Sequence, residues 1–527
     1  MQVDLLLRGG SVVTFDDARA RAAAVAVNDG RIVALGDDGL EDLVGPGTRV
    51  VDLHGAAVVP GLVDSHVHFG AFALARHEAN LDHSVSLEDG LSVLRSHAQR
   101  LEPGQWLRGR GWDRHRWRRL PTAADLDSVV GDRPAALASH DGHALWLNTA
   151  AMAAVGLARD TSAPSGGVIE RDADGQPSGV VFENAMDLVR TRMPQPSEAE
   201  LQAAMHQALG LAAAAGLTGI HNLEDARSLA VWRALEMRQQ LSLRVYHGLA
   251  RGQLAAAVEQ GLRTGSGSNL LRIGPLKLFA DGALGSRTAW LLQPYENATD
   301  GYRGVATLQP EEMVHDMRAA LAAGLDVAVH AIGDAAVRSV LDAVEAVGAA
   351  RAGRLVRIEH AQLVHPDDVP RFARLGVIAS MQPIHAISDW RAAEAQWGAR
   401  ARHGYAWRAL VDAGARVAFG TDAPVERLEP LASLEAATTR VDDEGQPPGG
   451  WYAEQRLSYH EAVRAYTWGS ADAEGALQRR GSIAPGKDAD LVVLDPDPFP
   501  LDAGARRQTG VRMTIVGGRV VFEDGRP

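Results

Sequence analysis

The chain has 527 residues, of which 46% are hydrophobic and 23% charged, as in an ordinary soluble protein with one large and one smaller domain. The formal net charge of −13, without a long basic run, disfavours nucleic acid as a partner. There is no cysteine, so disulfides and thiolate ligands are excluded, and His, Asp, Glu or a modified side chain would have to hold any metal.

The start of the sequence, "MQVDLLLRGGSVVTFDD", has neither the basic beginning nor the apolar stretch of a signal peptide. No run approaches eighteen consecutive apolar residues, so no transmembrane helix is predicted. We therefore expect a cytoplasmic protein that does not bind membranes.

Short strands are predicted at both ends of the chain. "LLLRGGSVVTFDD" (5–17) and "MTIVGGRVVFEDG" (513–525) each have the pattern of two strands joined by a Gly-Gly turn, and "AVNDGRIV" predicts a further hairpin. We interpret residues 1–57 and 478–527 as one composite β-sandwich. Two unrelated β-appendages are the alternative.

Residues 58–477 alternate apolar runs with Ala-, Leu- and Arg-rich helical stretches, a pattern that predicts parallel βα units. Helices are expected at 310–323, 335–347 and 366–375. Eight runs are counted, which is the number of strands in a (β/α)8 barrel of the TIM type. The runs are "AAVVPGLVDSHVH", "GLTGIHNLED", "LSLRVYHGLA", "GPLKLFADGALG", "LDVAVHAIGD", "RLVRIEHAQLV", "GVIASMQP" and "ARVAFGTDAP".

Residues 70–205 interrupt this alternation and are predicted to be a long insertion after the first barrel strand. They contain "GQWLRGRGWDRHRWRRL", the strand-like "AALASHDGHALWLN" and a hairpin, "GGVIERDADGQPSGVVFE". Because insertions on the loop side of a barrel commonly shape the pocket, we expect this segment to determine the substrate.

Titratable side chains stand where the predicted barrel strands end. His66 and His68 are two apart, so on a strand both rings project from the same face. Taken singly, each such residue also has a structural interpretation, as a satisfied histidine, a snorkelling lysine or a capping aspartate. The other strands supply Lys277 (four), His330 (five), His360 (six) and Asp422 (eight), and strands two, three and seven supply His221, His247 and Gln382.

A barrel with H-x-H on strand one, Lys on four, His on five and six and Asp on eight resembles the amidohydrolase superfamily. The flanking sequences are similar to its YtcJ-like branch, which includes N-substituted formamide deformylases. The stretches that carry this resemblance are "VVPGLVDSHVHFG", "DGHALWLN", "KLFADGALGSRTA", "HAIGDAAV" and "FGTDAPV".

The resemblance implies a metal centre with one or two divalent ions per chain, zinc being the expected ion. His66 and His68 would hold the more buried ion with Asp422, and His330 and His360 the more exposed ion. Lys277 would be carbamylated and bridge the two. The alternative is a single ion on His66, His68, His330 and Asp422, with Lys277 unmodified and His360 either supporting the metal ligands or positioning the substrate.

The implied reaction is hydrolysis of a non-peptide C–N bond in a small N-substituted or cyclic amide. Metal coordination lowers the pKa of water from ~15.7 toward ~7, and the resulting hydroxide attacks a carbonyl-type carbon. Asp422 would act as general base and then as general acid. Two rivals remain open, a mononuclear deaminase of a small heterocycle and a non-catalytic barrel that binds small molecules. A homodimer is the default expectation.

Further residues are candidates for substrate contact, although each also has a structural interpretation. The turn "HDGH" of the insertion either binds substrate or closes a polar turn, and "ADGALGSRTA" either lines the pocket or forms a tied loop. The loop at 440–452 is a candidate rim. The candidates are His140, Asp141, His143, Asp281, Arg287 and Trp112. Trp112 would form an apolar wall of the pocket, together with Trp117 and Trp146.

Overall fold

The computed structural model describes residues 2–38, 40–102, 104–351 and 353–525. All eight apolar runs between the chain ends form parallel strands that pair in chain order, which confirms the predicted (β/α)8 barrel. We number these barrel strands one to eight: Leu62–Val67, Leu217–Asn222, Arg244–Ala250, Leu271–Phe279, Val327–Ala331, Val356–His360, Ile378–Met381 and Arg416–Phe419.

The barrel closes between strands one and eight through a few specific hydrogen bonds rather than a regular ladder. The Thr421 amide donates to Oδ1 of Asp64 at 2.9 Å, and the Asp422 amide donates to the His66 carbonyl at 2.7 Å. A Cβ on Gly420 would lie 2.5 Å from the His66 nitrogen, so only glycine allows this approach. The closure therefore sets the predicted base beside the H-x-H pair.

Helices cover the outside of the barrel, and the three expected from the sequence are present. The second of them buries Val337, Val340, Leu341 and Val344 along one face. Burial of each such side chain contributes about 1.5–3 kcal/mol. The larger helices outside the insertion are Glu198–Ala214, Ala226–Met237, Pro310–Ala322, Asp334–Val347, Val369–Leu375 (preceded by a 3₁₀ turn, Pro366–Asp368), Pro383–Trp397 and Pro430–Thr439. None of the described helices is both long and apolar enough to cross a bilayer.

Both chain ends contribute to one further eight-stranded sheet. The N-terminal strand Ala57–Pro60 pairs antiparallel with the C-terminal strand Leu491–Asp495, so the two ends share a continuous ladder. The domain boundaries at residues 57 and 478 stay a prediction. The other strands of this sheet are Leu5–Val13, Arg21–Asn28, Arg31–Gly36, Arg49–Asp52, Gly510–Val516 and Arg519–Glu523.

The two Gly-Gly pairs of this sheet adopt different structures. Gly517-Gly518 is the predicted turn, with both φ angles positive, between two antiparallel strands. The hairpin predicted at Gly9-Gly10 is wrong, because Leu5–Val13 is one strand that bulges there. A Cβ on Gly10 would lie 2.3 Å from the Ala56 carbonyl oxygen, so this glycine permits the close approach of a neighbouring segment rather than a reversal.

The insertion folds around a six-stranded sheet with its own aromatic core. Trp146 packs edge-to-face against both Trp112 and Trp117 at centroid distances of 6.5 and 5.8 Å. The stretch "AALASHDGHALWLN" is a hairpin whose turn holds His140 and His143. The strands are Ala79–Asn80, Leu107–Trp112, Ala135–Ser139, Ala144–Leu147, Gly167–Arg171 and Pro177–Glu183, and the larger helices are Phe69–Ala75, Leu87–Ala98, Ala123–Val130 and Thr149–Val155.

Candidate active site

A cavity of about 690 Å³ opens at the carboxyl ends of the barrel strands. Its walls come from the loops that follow these strands and from the turn of the insertion hairpin. Among the sequence-predicted site residues, those that line it are His66, His68, His140, Asp141, His143, Lys277, Asp281, His330, His360 and Asp422.

The four predicted metal-binding histidines form a row across the cavity floor. The ring of His66 lies 5.3 Å from that of His68 and 4.7 Å from that of His360, centroid to centroid. The ring of His330 follows at 4.6 Å from His360. Asp422 closes the row, with Oδ1 lying 3.4 Å from Nε2 of His66 and 3.3 Å from Nε2 of His68. The barrel thus assembles side chains that are up to several hundred residues apart in the sequence.

A buried carboxylate fixes the tautomer of His66. Nδ1 of His66 lies 2.6 Å from Oε2 of Glu359, whose other oxygen accepts from Nε of Arg357 at 2.5 Å. Burial opposes ionisation of Glu359, but Arg357 and His66 hold its pKa well below the ordinary value. The carboxylate therefore accepts the Nδ1 proton, which leaves the lone pair on Nε2 of His66 facing the cavity.

Two of the atoms that face one another here are left without partners. Nε2 of His66 and Oδ1 of Asp422 are buried and make no hydrogen bond. Burial lowers the pKa of His66 to about 4, so its ring is neutral at physiological pH and can act as a ligand. Two ligands held ~2.1 Å from a tetrahedral zinc ion lie ~3.4 Å apart, which matches the observed separation of these atoms. The donor set therefore fits a divalent cation.

Hydrogen bonds also select one nitrogen on each of the other two histidines. Nε2 of His330 donates to the Gly282 carbonyl at 3.0 Å, which leaves Nδ1 free. Nδ1 of His360 lies 2.8 Å from Oε1 of Gln382, which leaves Nε2 free. Burial lowers the pKa of both rings well below the ordinary value, so each is neutral. Each ring therefore offers one lone pair.

Lys277 projects from strand four into the same cavity. Its Nζ is buried, has no hydrogen-bond partner and lies 4.9 Å from the centroid of the Phe279 ring. Burial lowers the pKa of this amine to about 8, so an appreciable fraction is uncharged at neutral pH. Only the neutral amine can react with carbon dioxide, so the environment favours the predicted modification.

His385 is a site residue that was not predicted from the sequence. It lies in the first turn of the helix that follows strand seven, and its Nε2 is 3.2 Å from Oδ2 of Asp422. Within the described residues, ligand atoms lie within 4.8 Å of one another in two groups, which are His66, His68 and Asp422, and His360, His385 and Asp422. The sequence feature that could have indicated His385 is "QPIH" (382–385), which follows strand seven. The prediction considered only the strand ends, and His385 lies one helical turn beyond them.

Two of the predicted ligands have a strained backbone. His360 has a φ of +72° and Asp422 a φ of +61°, in the left-handed region that side-chain-bearing residues rarely adopt. Such conformations cost about 1–3 kcal/mol each and persist where the surroundings impose them. At Asp422 the hydrogen bond to the His66 carbonyl holds the backbone in place.

The insertion brings a charged imidazole to the cavity. Nδ1 of His143 lies 2.9 Å from Oε2 of Glu183, and the His143 ring lies 5.3 Å from that of His330. Burial opposes the charge, but Glu183 raises the pKa of His143 to about 9. His143 is therefore a cationic hydrogen-bond donor next to the histidine row.

The two other predicted residues of the hairpin turn, His140 and Asp141, hydrogen-bond mainly within the insertion. Nδ1 of His140 lies 3.2 Å from Oδ1 of Asp82, within the insertion. Asp141 accepts from the Ser139 hydroxyl and from the His143 amide, so it shapes the turn that presents His143. Both residues still line the cavity.

The other predicted substrate contacts differ in where they lie. Asp281 lines the cavity, but its oxygens accept from three backbone amides of neighbouring loops, which anchor it. Arg287 does not line the cavity and stacks over the Tyr295 ring at 5.3 Å. Trp112 is only 2% exposed and donates to the Leu137 carbonyl. It borders a second cavity of about 970 Å³, which shares His140 and Asp141 with the first and includes residues 442–444 of the predicted rim.

Comparison with known families agrees with this geometry. A model of the amidohydrolase family matches residues 49–522. The chain belongs to the amidohydrolase family. Family membership supports hydrolase activity and, with the donor set described above, a divalent metal at the barrel mouth.

Full-length relatives share about a third of the sequence. The chain is 33% identical to the amidohydrolase-class protein YtcJ of Bacillus subtilis, over 98% of each chain. It is 30% identical to the N-substituted formamide deformylase of Arthrobacter pascens, over 99% of this chain and 98% of that one. A solved metal-dependent hydrolase from Pyrococcus horikoshii superimposes with a TM-score of 0.77 at 27% identity, covering 95% of this chain and 99% of that one.

Proposed function

We propose that the protein hydrolyses a non-peptide C–N bond in a small N-substituted or cyclic amide. The observation that carries this proposal is the pair of buried, unpartnered atoms Nε2 of His66 and Oδ1 of Asp422, 3.4 Å apart at the floor of the cavity. The similarity to an N-substituted formamide deformylase along the whole chain favours amides over other substrates.

In this proposal His66, His68 and Asp422 would hold one zinc ion, and His330 and His360 would hold a second. The neutral amine of Lys277 would form a bond to the carbon of carbon dioxide and release one proton to solvent, and the carbamate would then serve as a ligand to both ions. The resulting carbamate carries a negative charge and two oxygen ligands, whereas an ammonium group would be repelled by cations. When bound, the ions would supply the Lewis acidity that makes water nucleophilic at neutral pH and polarises a carbonyl oxygen.

The protein's own residues direct the proton and the substrate. The Asp422 carboxylate accepts the proton of the attacking water and then delivers it to the leaving nitrogen. His385 holds Oδ2 of this carboxylate at 3.2 Å and so orients Asp422. His143, as a cationic donor beside the row, stabilises the negative charge that develops on the carbonyl oxygen.

The decisive experiment combines metal counting with a substrate panel. Purified protein is analysed for metal by elemental analysis and is then incubated with formamides, lactams, hydantoins and amino-heterocycles. Two ions per chain and release of an amine or an amino acid support the proposal. One ion per chain with release of ammonia from a ring C–NH₂ group would instead establish a mononuclear deaminase, and binding without any turnover would establish a non-catalytic barrel.

A further inference from the structure

Four buried side-chain atoms around the cavity have no hydrogen-bond partner in the described part of the chain. Three belong to residues of the predicted metal centre: Nε2 of His66, Nζ of Lys277 and Oδ1 of Asp422. The fourth is Oε1 of Gln362, which has no role in that centre. Since a buried amide oxygen without a partner is unfavourable, this atom requires an explanation.

We propose that Gln362 is a specificity-determining residue that binds the N–H group of the substrate amide. The proposal rests on the proposed function and adds the substrate class, which is an amide that keeps a hydrogen on its nitrogen. An orphaned acceptor calls for a donor, and the N–H is the donor that such a substrate brings. The substrate carbonyl is left for His143, which lines the same cavity.

Gln362 is buried, and backbone hydrogen bonds hold it in place, as expected for a residue that binds a ligand. Gln362 is 4% exposed and lies two positions beyond His360, the last residue of strand six. The Gln362 carbonyl accepts from the Tyr405 amide at 2.6 Å. The Ala361 amide donates to the carbonyl of Ala331, the last residue of strand five, and the Leu363 amide donates to the Ile332 carbonyl just beyond it. Because the backbone is held on both sides, little conformational freedom is lost when the amide group meets a ligand.

The preference for N–H amides follows from the free-energy cost of binding a tertiary amide, which has no hydrogen on its nitrogen. A tertiary amide of the same shape carries a methyl group where the N–H would be, so it leaves Oε1 of Gln362 buried and unpaired. Sites built to hydrogen-bond a substrate group discriminate against analogues that lack the group. The cavity should therefore prefer secondary over tertiary amides.

The test uses two matched pairs of probes on the metal-loaded full-length protein. The pairs are 2-pyrrolidinone with N-methyl-2-pyrrolidinone, and N-propylformamide with N-methyl-N-propylformamide. Dissociation constants are measured by ligand-observed NMR, and kcat/KM is measured for every probe that is hydrolysed. In the wild type we expect the N–H member of each pair to be favoured about tenfold. Absence of a preference, or absence of binding by all four probes, overturns the proposal.

Two variants separate recognition from general damage to the cavity. Gln362→Met keeps the length of the side chain but removes both polar atoms, and it should abolish the N–H preference while metal content stays unchanged. Ile332→Val trims the same cavity without altering a polar group, and it should change both members of a pair alike. Loss of metal in Gln362→Met, or a preference retained in it, overturns the assignment.

The same measurements distinguish this proposal from the proposed function. Equal hydrolysis of secondary and tertiary amides would support the proposed hydrolase activity but would show that Gln362 does not bind the substrate N–H. A tenfold N–H preference in binding, with no hydrolysis of any amide in the panel, would leave the Gln362 assignment standing and remove the proposed reaction.

Discussion

Oε2 of Glu359 lies 2.6 Å from Nδ1 of His66, on the side of the ring that faces away from the cavity. The same carboxylate is held by Arg357, whose other nitrogens contact Nδ1 of His221 and the Ser65 carbonyl. A predicted metal ligand is therefore the outer end of a fully buried chain of hydrogen bonds.

Replacement of this carboxylate should weaken metal binding. Glu359→Gln removes the charge that orients His66 and leaves Arg357 without its counterion, so metal affinity should fall about 10–100-fold and the protein should be less stable. Dialysis against graded chelator, followed by elemental analysis, measures the affinity. The double variant Arg357→Met/Glu359→Met, which buries no unpaired charge, should recover stability without recovering metal. Unchanged metal retention in Glu359→Gln would refute the orienting role.

The proposed carbamylation of Lys277 can be tested directly, because the chain has only one other lysine, Lys487. With ¹³C-labelled bicarbonate we expect a carbamate signal by NMR in the wild type and in Lys487→Met, and none in Lys277→Met. The metal content should fall from two ions to one in Lys277→Met, since the bridge is lost. A Lys277→Met protein that keeps both ions would contradict the bridging assignment.

Asp422→Asn should separate metal binding from proton transfer. The amide keeps an oxygen donor but cannot accept the proton of the attacking water, so much of the metal should remain while kcat falls by about 10²–10⁴. Elemental analysis and steady-state kinetics on the same preparation measure both effects. Normal turnover in this variant would exclude Asp422 as the proton acceptor.

His385→Gln tests the residue that the sequence analysis missed. The hydrogen bond at 3.2 Å orients Oδ2 of Asp422, so its loss should lower kcat about 10-fold to 100-fold with little change in KM. The ion at His66 and His68 should remain bound. A rise in KM at constant kcat would show that His385 contacts the substrate instead.

The raised pKa of His143 predicts that the stability of the metal-free protein depends on pH. Its pKa is about 9 in the folded state, owing to Glu183, against an ordinary value of about 6.5. Below pH ~6.5 both states carry the proton. Between pH ~6.5 and ~9 only the folded state keeps it, so this contribution, roughly 3 kcal/mol, is lost as the pH rises.

Urea unfolding at several pH values checks this sign. The free energy of unfolding of the wild type should fall between pH 6.5 and 9 relative to that of His143→Gln, and the two should run parallel below pH 6. The exposed His206, substituted in the same way, is the control. A difference between wild type and His143→Gln that grows with pH would contradict the assigned ion pair.

The barrel and the histidine row could be predicted because they follow simple rules. Apolar runs of strand length alternate with helices, and the carboxyl ends of parallel strands meet at one edge, so His66, Lys277 and Asp422 were expected to converge. His385 escaped this rule because it is presented by a helix rather than by a strand end.

Other features depend on contacts that local sequence does not encode. Gly9-Gly10 and Gly517-Gly518 have the same letters between apolar runs, but only the second pair reverses the chain. At Gly9-Gly10 the strand continues because Arg49–Asp52 and Ala57–Pro60 pair alongside it. Likewise Trp112 packs against Trp146 in the core of the insertion. The spacing of apolar residues in the sequence does not indicate this contact.

The ladder between Ala57–Pro60 and Leu491–Asp495 has a consequence for biosynthesis. At ~5–20 residues per second, the ribosome needs ~20–90 s between making the first strand and the second. During that interval the early segment lacks its final neighbour and exposes an unpaired edge to solvent. The sheet can therefore be completed only after Leu491–Asp495 has been made, so its assembly follows synthesis of the whole barrel.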